Sequence, residues 1–512
     1  MSLMDKFTAA SGMDSFVYFV LLLALPLLLL IKLKKKSNLP PGPRRWPIVG
    51  NLVQVMLSKL GFQGYIQKVQ RKYGPIFTIR LGSQPMIIIA SRDLAHEALV
   101  QKGSLFASRP PAKGLRKLFT SNQMNISSAP YGPLWRSLRR NLVSETLSSP
   151  ALKSFQEGRD WGLQVLIQGL KTEAAQNEGV VKLVEHLRHA SFCLLLYMCF
   201  GLQVEENEVR EVEGVMRELL LTVASLALED TFPILKVFYR KRRERMQGMH
   251  RRQEEKLVSL INRRREELAE GAAVNCRAYV DSLFSLTVDG GRCLTEQEMA
   301  TLCSEFITGG TDTTSTTIQW VMANLVKYPD VQSKLYKEIV GVVGKEGVKL
   351  VEEEKLVSEM QYLEAVVKEA LRRHPPAKFV LSHAVTEDCS LGGYDIPVGA
   401  FVNFCVSEMG NDPAEWENPA DFRPERFVNG EVDLTGGKGI KMMPFGVGRR
   451  ICPGLAVAML HVELIVATLV LKFEWQTKPG ETVDLAETQE FTTVMKYPLQ
   501  AVIKERVATP GY

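Results

Sequence analysis

Three patterns of apolar and polar positions divide the chain. Residues 16–31, FVYFVLLLALPLLLLI, carry no charge and are almost wholly apolar, and Lys32, Lys34, Lys35 and Lys36 follow at once. This predicts a segment that enters a membrane, a little short of the ~20 residues a spanning helix prefers but extended by Leu33 and by snorkelling lysines. A cleaved signal peptide is the rival reading. It is disfavoured because no small-residue cleavage site follows and because the lysines sit on the C-terminal flank, which the positive-inside preference keeps cytosolic. Next, PIFTIRLGSQPMIIIAS (75–91) alternates between turn residues and predicts a two-stranded hairpin, with a helix beginning at DLAHEALVQKG. From about 135 to 375 the apolar period is helical, and strand patterns return near 378–406 and 491–504. The expected architecture is mainly α with a small β region split between the two ends. Residues 1–37 form an anchor with its basic stop, 38–52 a stiff proline-rich hinge around LPPGPRRWPIVGNL, and 53–512 a single large helical body.

Two helices stand out. Thr295 and Glu298 form a capping box, after which the apolar period runs from Met299 to Val326 until Pro329 stops it. At 1.5 Å per residue such a helix is on the order of 45 Å long and crosses the body. In its middle FITGGTDTTSTT (306–317) places two glycines costing about 1 kcal/mol each against alanine, together with Thr313, Thr314, Thr316 and Thr317, which are also poor helix formers. The expectation is a kink where something approaches the backbone, with helix–helix packing through the glycines as the plainer alternative. The second helix, EMQYLEAVVKEALRRHPP, sets Glu369 and Arg372 on one face. On the surface that pair is worth little, whereas in the interior it anchors a third group, for which Arg426 in FRPERF is the candidate.

Composition narrows the chemistry. Eight cysteines lie at scattered spacings with no Cys-x-x-Cys pair, which disfavours a disulfide framework or a zinc site, and most sit in apolar runs as small hydrophobes. Of the net charge of +6, residues 1–50 contribute +5 (seven basic side chains against Asp5 and Asp14), so the body is nearly neutral and nucleic acid is not an expected partner. The exception is KRRERMQGMHRRQEEK (241–256), read first as a solvated helix face and second as a docking surface for membrane or an acidic redox partner.

One cysteine differs from the rest. Cys452 lies in FGVGRRICPG (445–454), ahead of the apolar run LAVAMLHVELIVATLVLKF, with Pro453 expected in the first helical turn. A helix N-terminus lowers a thiol's pKa, which suits a nucleophile or a metal ligand. No histidine can be placed beside it from sequence. Glycines at 446, 448 and 454 suggest a loop laid flat on a large rigid surface, with Arg450 reaching an anion there; a haem face with its propionates meets these requirements.

Phe445, Gly448, Arg450, Cys452 and Gly454 together resemble the haem-binding signature of the cytochrome P450 monooxygenases. Glu369-Ala-Leu-Arg372 resembles the family's Glu-x-x-Arg pair, Pro424-Glu-Arg426-Phe supplies a third member, Gly309–Thr314 resembles its oxygen-activation groove, and Trp135-x-x-x-Arg139 its propionate motif. The likeness runs from the PPGP hinge to FTTVMK. It implies the cytochrome P450 fold, haem b with Cys452 as axial ligand, Asp312 and Thr313 as proton relay, and Trp135, Arg139, His383 and Arg450 at the propionates. It further implies NADPH and flavin only through a separate NADPH-cytochrome P450 reductase, O2 and a lipophilic substrate, and an endoplasmic reticulum membrane location, single-pass, with the catalytic body facing the cytosol. The stretches SNQMNISSAPYGPLWRSLRRNLVSE, LCSEFITGGTDTT, HAVTEDCSLGGYDIP and GIKMMPFGVGRRICPG are similar to the plant microsomal branch, especially to members that hydroxylate or epoxidise fatty acids in mid-chain. Phe306, Ile307, Gly309, Phe379, Val380, Leu381 and Thr492 are the candidate pocket residues, an apolar lining that suits an acyl chain and equally a terpenoid or a phenolic. A hydroperoxide rearrangement enzyme of the same fold and a non-catalytic haem protein are the remaining alternatives, both at odds with an intact Asp312-Thr313 pair.

Overall fold

The computed structural model describes residues 38–506, apart from 47–48, 59–60, 83, 224–239, 272–275, 344–358, 429 and 431. The expected anchor, 1–37, lies outside the described residues. The proline-rich hinge does not stand free. Thr78 donates its N–H to the Pro41 carbonyl at 2.8 Å, and a Cβ on Gly42 would lie 1.9 Å from the Thr78 carbonyl oxygen, so the stretch lies flat against the first strand.

That strand opens the predicted hairpin. Ile76–Leu81 pairs antiparallel with Gln84–Ile89, Phe401–Phe404 joins parallel to the latter, and His383–Ala384 closes the sheet. A parallel neighbour more than 300 residues away is why this small sheet gathers both ends of the sequence. Several strands depart from the expected pattern: inside the helical stretch Thr287–Val288 pairs with Arg292–Cys293, and Val180–Lys182 pairs with Gln500–Glu505, which in turn pairs with Phe473–Gln476.

The central helix, Glu296–Lys327, begins at the predicted box. Thr295 Oγ1 accepts from the Glu298 N–H at 3.2 Å, and a Glu298 carboxylate oxygen accepts from the Thr295 N–H at 2.9 Å. It packs against Leu183–Phe200, whose residues are nearly all buried, and against Leu455–Lys472. Among the described residues Leu455–Lys472 alone is long and apolar enough to cross a membrane, and 61% of it is buried in the core.

The central helix is continuous from Glu296 to Lys327. Hydroxyls of Thr311, Thr313, Ser315 and Thr317 donate back to the carbonyls of Ile307, Gly309, Thr311 and Thr313 at 2.8–2.9 Å, a back-bonding that loosens a helix without ending it. The two glycines divide the two readings between them. A Cβ on Gly310 would lie 2.6 Å from Leu195, so that glycine serves helix packing, while a Cβ on Gly309 would meet nothing within 4 Å.

The basic run 241–256 belongs to the helix Arg240–Ala269, and much of its charge is spent within the protein. Arg245 and Arg252 approach Glu218, and Lys256 approaches Glu211, both acids on the helix Glu206–Val223. Neither a bare solvated face nor a wholly free docking patch describes it.

Candidate active site

The central helix and the helix after Cys452 share one core through residues 318–326 and 462–471. On the N-terminal side of both stretches accessibility returns: Gly309 is exposed, and Thr313, Cys452 and Gly454 are partly exposed deep in the fold. The loop that carries Cys452 is locked by left-handed glycines. Gly446 and Gly448 have φ of 69° and 78°, and a Cβ on Gly448 would sit 2.1 Å from the Leu99 carbonyl oxygen. The Cys452 N–H donates to the Phe445 carbonyl at 2.9 Å and closes the turn.

Two sequence expectations about this cysteine fail. The following helix starts only at Leu455, with Gly454 in the cap position, so Cys452 and Pro453 precede it. Nor is the thiol pKa lowered. Burial pushes it up, against weaker pulls from the Gly454 N–H and Arg139. Desolvation of a thiolate outweighs one backbone donor and one partly screened cation.

Around this loop lie three guanidinium groups with no carboxylate partner within ion-pair distance among the described residues. Arg450 donates to the carbonyls of Ala107 (2.6 Å), Ile126 (3.1 Å) and Ala129 (2.5 Å) and stacks 4.4 Å over Trp135. Burial, with Arg109 and Arg139 nearby, pulls its pKa down to about 9. Arg109 is 9% exposed and donates to the carbonyls of Ser127, Leu381 and Ser382. Arg139 lies 5.9 Å from the Trp135 ring. Trp135 Nε1 is buried without an acceptor. Three confined cations and an unanswered indole N–H form a site short of anions, which fits the propionates of a haem whose iron would meet Cys452.

Sequence reasoning did not single out Arg109; its signal was its place between the apolar pair Phe106-Ala107 and Pro110, too slight to separate it from other arginines. His383 does not take the role expected for it. Its Nδ1 faces the Phe106 carbonyl at 2.5 Å, so that nitrogen carries the hydrogen, and burial beside Arg109 and Arg450 drives its pKa down to about 3. The neutral ring then offers Nε2 only as an acceptor, and the cation beside it is Arg109.

The Glu369–Arg372 pair is interior, not superficial. Both residues are at most 1% exposed, and Arg372 Nε and Nη2 reach the two carboxylate oxygens at 2.7 and 2.8 Å. The remaining Arg372 donors go to the carbonyls of Gly410, Pro419 and Asp421, and Arg426 Nε stands 3.4 Å from Glu369. The three predicted members meet in one network.

Asp312 and Thr313 turn to different surroundings. The Thr313 hydroxyl is on the accessible strip, donating to the Gly309 carbonyl at 2.8 Å. The Asp312 carboxylate is buried 3.5 Å from Arg188 and 3.3 Å from Arg217, and Glu490 lies 3.9 and 3.7 Å from the same two arginines. Burial raises its pKa and the two arginines oppose the rise.

The pocket candidates separate. Val380 comes within reach of the cysteine loop, 3.7 Å from a Cβ built on Gly446, and Leu381 is 58% exposed. Three others point elsewhere. Phe306 packs on Tyr279 at 5.2 Å, Phe379 on Phe62 at 5.7 Å, and Thr492 is buried with its hydroxyl 3.0 Å from that of Thr316. The neighbour Phe491, 40% exposed, presents the free side chain at that turn. Ile307 is fully buried, beside Thr308 and Arg188 in a small recess.

The sequence profile described as "Cytochrome P450" matches residues 40–504. The chain is 42% identical over 484 residues to cytochrome P450 89A9 of Arabidopsis thaliana, covering 92% of this chain and 94% of that one. It is 30% identical to (+)-vincadifformine 19-hydroxylase of Catharanthus roseus, covering 98% and 99%, and 31% identical to geranylhydroquinone 3''-hydroxylase of Arnebia euchroma, covering 92% and 94%. A zebra fish cytochrome P450 solved with progesterone shares the fold, with a TM-score of 0.72 at 23% identity over 86% of this chain and 99% of that one. With its helical body, its cysteine loop and its ring of unpaired arginines agreeing with these likenesses, the chain belongs to the cytochrome P450 family, monooxygenases built on haem b.

Proposed function

We propose that this monooxygenase hydroxylates a lipophilic plant specialised metabolite, with Cys452 as the residue that would hold the haem iron through its thiolate and electrons drawn from NADPH through NADPH-cytochrome P450 reductase. The observation that carries the site is the set of three confined arginines without carboxylates around an accessible Cys452. Bound there, the haem supplies the activation of dioxygen, and a thiolate ligand favours O–O cleavage. Arg109, Arg139, Arg450 and Trp135 Nε1 bind its propionates. Binding iron as thiolate answers the desolvation that otherwise keeps the Cys452 proton in place.

The chain's own groups then handle protons and orientation. The Thr313 hydroxyl, having given its hydrogen to the Gly309 carbonyl, accepts a hydrogen bond from water and holds it on the accessible strip. Asp312, whose acidity burial weakens, passes protons toward it while Arg188 and Arg217 fix the carboxylate. Gly309, Val380, Leu381 and Phe491 give the substrate an apolar, loosely polar-free wall. The relatives whose names state a substrate act on (+)-vincadifformine, geranylhydroquinone and phenylacetaldehyde oxime, which supports a ring-bearing lipophile. In-chain hydroxylation or epoxidation of a fatty acid is the second reading, supported by the subfamily-like stretches in the sequence. Residues 1–37 anchor the body to the endoplasmic reticulum membrane on its cytosolic side in the same proposal.

The test combines spectroscopy with turnover. The reduced, carbon monoxide-bound protein gives a thiolate-type Soret band that Cys452→Ala abolishes; a band that survives the substitution rules out the ligand assignment. Microsomes holding the protein and its reductase turn over terpenoids, alkaloids or prenylated phenols from a mixed panel. Turnover of fatty acids alone overturns the substrate class and leaves the haem site standing.

A further inference from the structure

We propose that Glu305, a half-buried carboxylate two turns before Thr313 on the central helix, is a positioning residue for the haem-binding arginines, acting through the peptide units of residues 126–129. Its two oxygens accept from consecutive backbone donors: Ile126 N–H to Oε2 at 2.7 Å and Ser127 N–H to Oε1 at 2.7 Å. The carbonyls of the same residues point the opposite way. Ile126 O accepts from Arg450 Nη1 at 3.1 Å, Ser127 O from Arg109 Nε at 2.9 Å, and Ala129 O, three residues on from Ile126, from Arg450 Nη2 at 2.5 Å. A carboxylate on one side and two guanidinium groups on the other are thus joined through residues 126–129, and the peptide unit between Ile126 and Ser127 alone gives its N–H to Glu305 and its C=O to Arg450.

The segment cannot hold that shape by itself. Just ahead of it Ser121, Asn122 and Gln123 are consecutive non-glycine residues at φ of 43°, 59° and 67°. A run of left-handed residues costs on the order of 1 kcal/mol or more each and persists only where surrounding structure over-determines it. Part of the restraint is local, since Gln123 bonds the Ala112 N–H and the carbonyls of Pro110 and Ser128. Glu305 supplies the tie to the central helix, together with a Ser121 hydroxyl 2.6 Å from that of Thr301. Glu305 is also the acid whose field reaches both Arg109 and Arg450, neither of which has a carboxylate partner of its own. It therefore fixes the arginines' carbonyl partners and moderates their mutual repulsion while leaving their outward donors for an external anion.

The inference rests on the haem reading above, and its test separates the two. In the holoprotein, E305Q keeps the side-chain shape, removes the charge and places an amide N–H2 against one backbone donor. Hydrogen exchange at Ile126 and Ser127 accelerates by about 10-fold or more, haem dissociation quickens by about 10- to 100-fold as for other outer partners of a bound group, and the reduction potential rises as a negative charge leaves the site. E305D, which keeps the charge, restores the potential more fully than the exchange rates, and it serves alone if E305Q does not accumulate folded. Faster exchange with wild-type haem dissociation and potential makes Glu305 a loop staple only and overturns the proposal, as do unchanged exchange rates. Absence of the thiolate-type carbon monoxide band in the unsubstituted protein instead sinks the haem reading, whatever the variants do.

Discussion

The interior of this protein holds guanidinium groups in two opposite ways. Arg372 has a fully buried carboxylate in a two-point contact and passes its remaining donors to carbonyls of a neighbouring loop, so its charge is answered within the chain. Among the described residues the hydrogen bonds of Arg109 and Arg450 go to carbonyls alone, with Trp135 stacked on Arg450 and Glu305 acting on both arginines from behind a peptide bridge. A carbonyl offers a partial charge where a carboxylate offers a whole one, and burial with Arg109 and Arg139 nearby pulls the Arg450 pKa down to about 9. The complete network stabilises a loop. The incomplete one leaves a surplus of positive charge that only a bound anion can answer, and such an imbalance marks a binding site more clearly than the count of hydrogen bonds does.

Breaking the complete network has the largest expected effect. Glu369→Ala strands the Arg372 cation in the core and costs about 3–5 kcal/mol in chemical denaturation, with loss of bound haem following because the loop of residues 418–426 is no longer fixed. Adding Arg372→Met to that variant recovers part of the loss, since it removes the stranded charge; a double variant worse than the sum of the two singles contradicts the account.

Much of this arrangement was legible in the sequence, and the limits have physical causes. Spacing put Glu369 and Arg372 on one face and named Arg426, and glycine positions alone suggested a flat loop at Cys452. Periodicity also placed the hairpin, and the capping box fixed the start of the central helix. It could not say what lies opposite a face. So spacing leaves both a close approach to the backbone and helix packing open for Gly309-Gly310, and the fold divides them, with Leu195 against Gly310 and open space at Gly309. Thr492 and Phe491 could not be told apart because the direction of a side chain at a tight turn depends on its partner, here Thr316. The Cys452 thiol was misjudged because a cap's field is local and readable, whereas burial depends on the whole fold. Val180–Lys182 was missed since three residues give no period.

A third way of keeping charge inside is to abolish it, and Glu463 on the helix Leu455–Lys472 uses it. The residue has no hydrogen-bond or ion-pair partner among the described residues, and nearby Lys368 is engaged with Glu364 at 2.7 Å. Burial, with Glu364 adding to it, pushes the carboxyl up to about 8 from an ordinary value of 4.5. The folded protein therefore holds a proton that the unfolded chain releases, and stability falls as pH rises between those two values. Glu463→Gln removes this fall: it matches the unsubstituted protein below pH 4.5 and exceeds it by on the order of 2 kcal/mol above pH 8. A pH-independent difference between the two would mean that the carboxyl titrates alike in the folded and the unfolded chain.

The smallest effect on the fold, and the sharpest contrast with Glu369, belongs to Arg450. Arg450→Met gives up three hydrogen bonds to carbonyls, each worth about 1 kcal/mol, but also releases a confined cation that costs several kcal/mol to desolvate. The two nearly cancel, so denaturation of the haem-free protein shifts by less than about 1 kcal/mol, whereas haem dissociation from the loaded protein accelerates by about 10-fold or more as one propionate partner is lost. Measured side by side with Glu369→Ala, the variants exchange phenotypes: one loses the fold and with it the haem, the other loses the haem and keeps the fold. If Arg450→Met is instead destabilised by as much as Glu369→Ala, the arginine is a structural element satisfied within the chain, and the surplus charge around Cys452 does not exist to be filled.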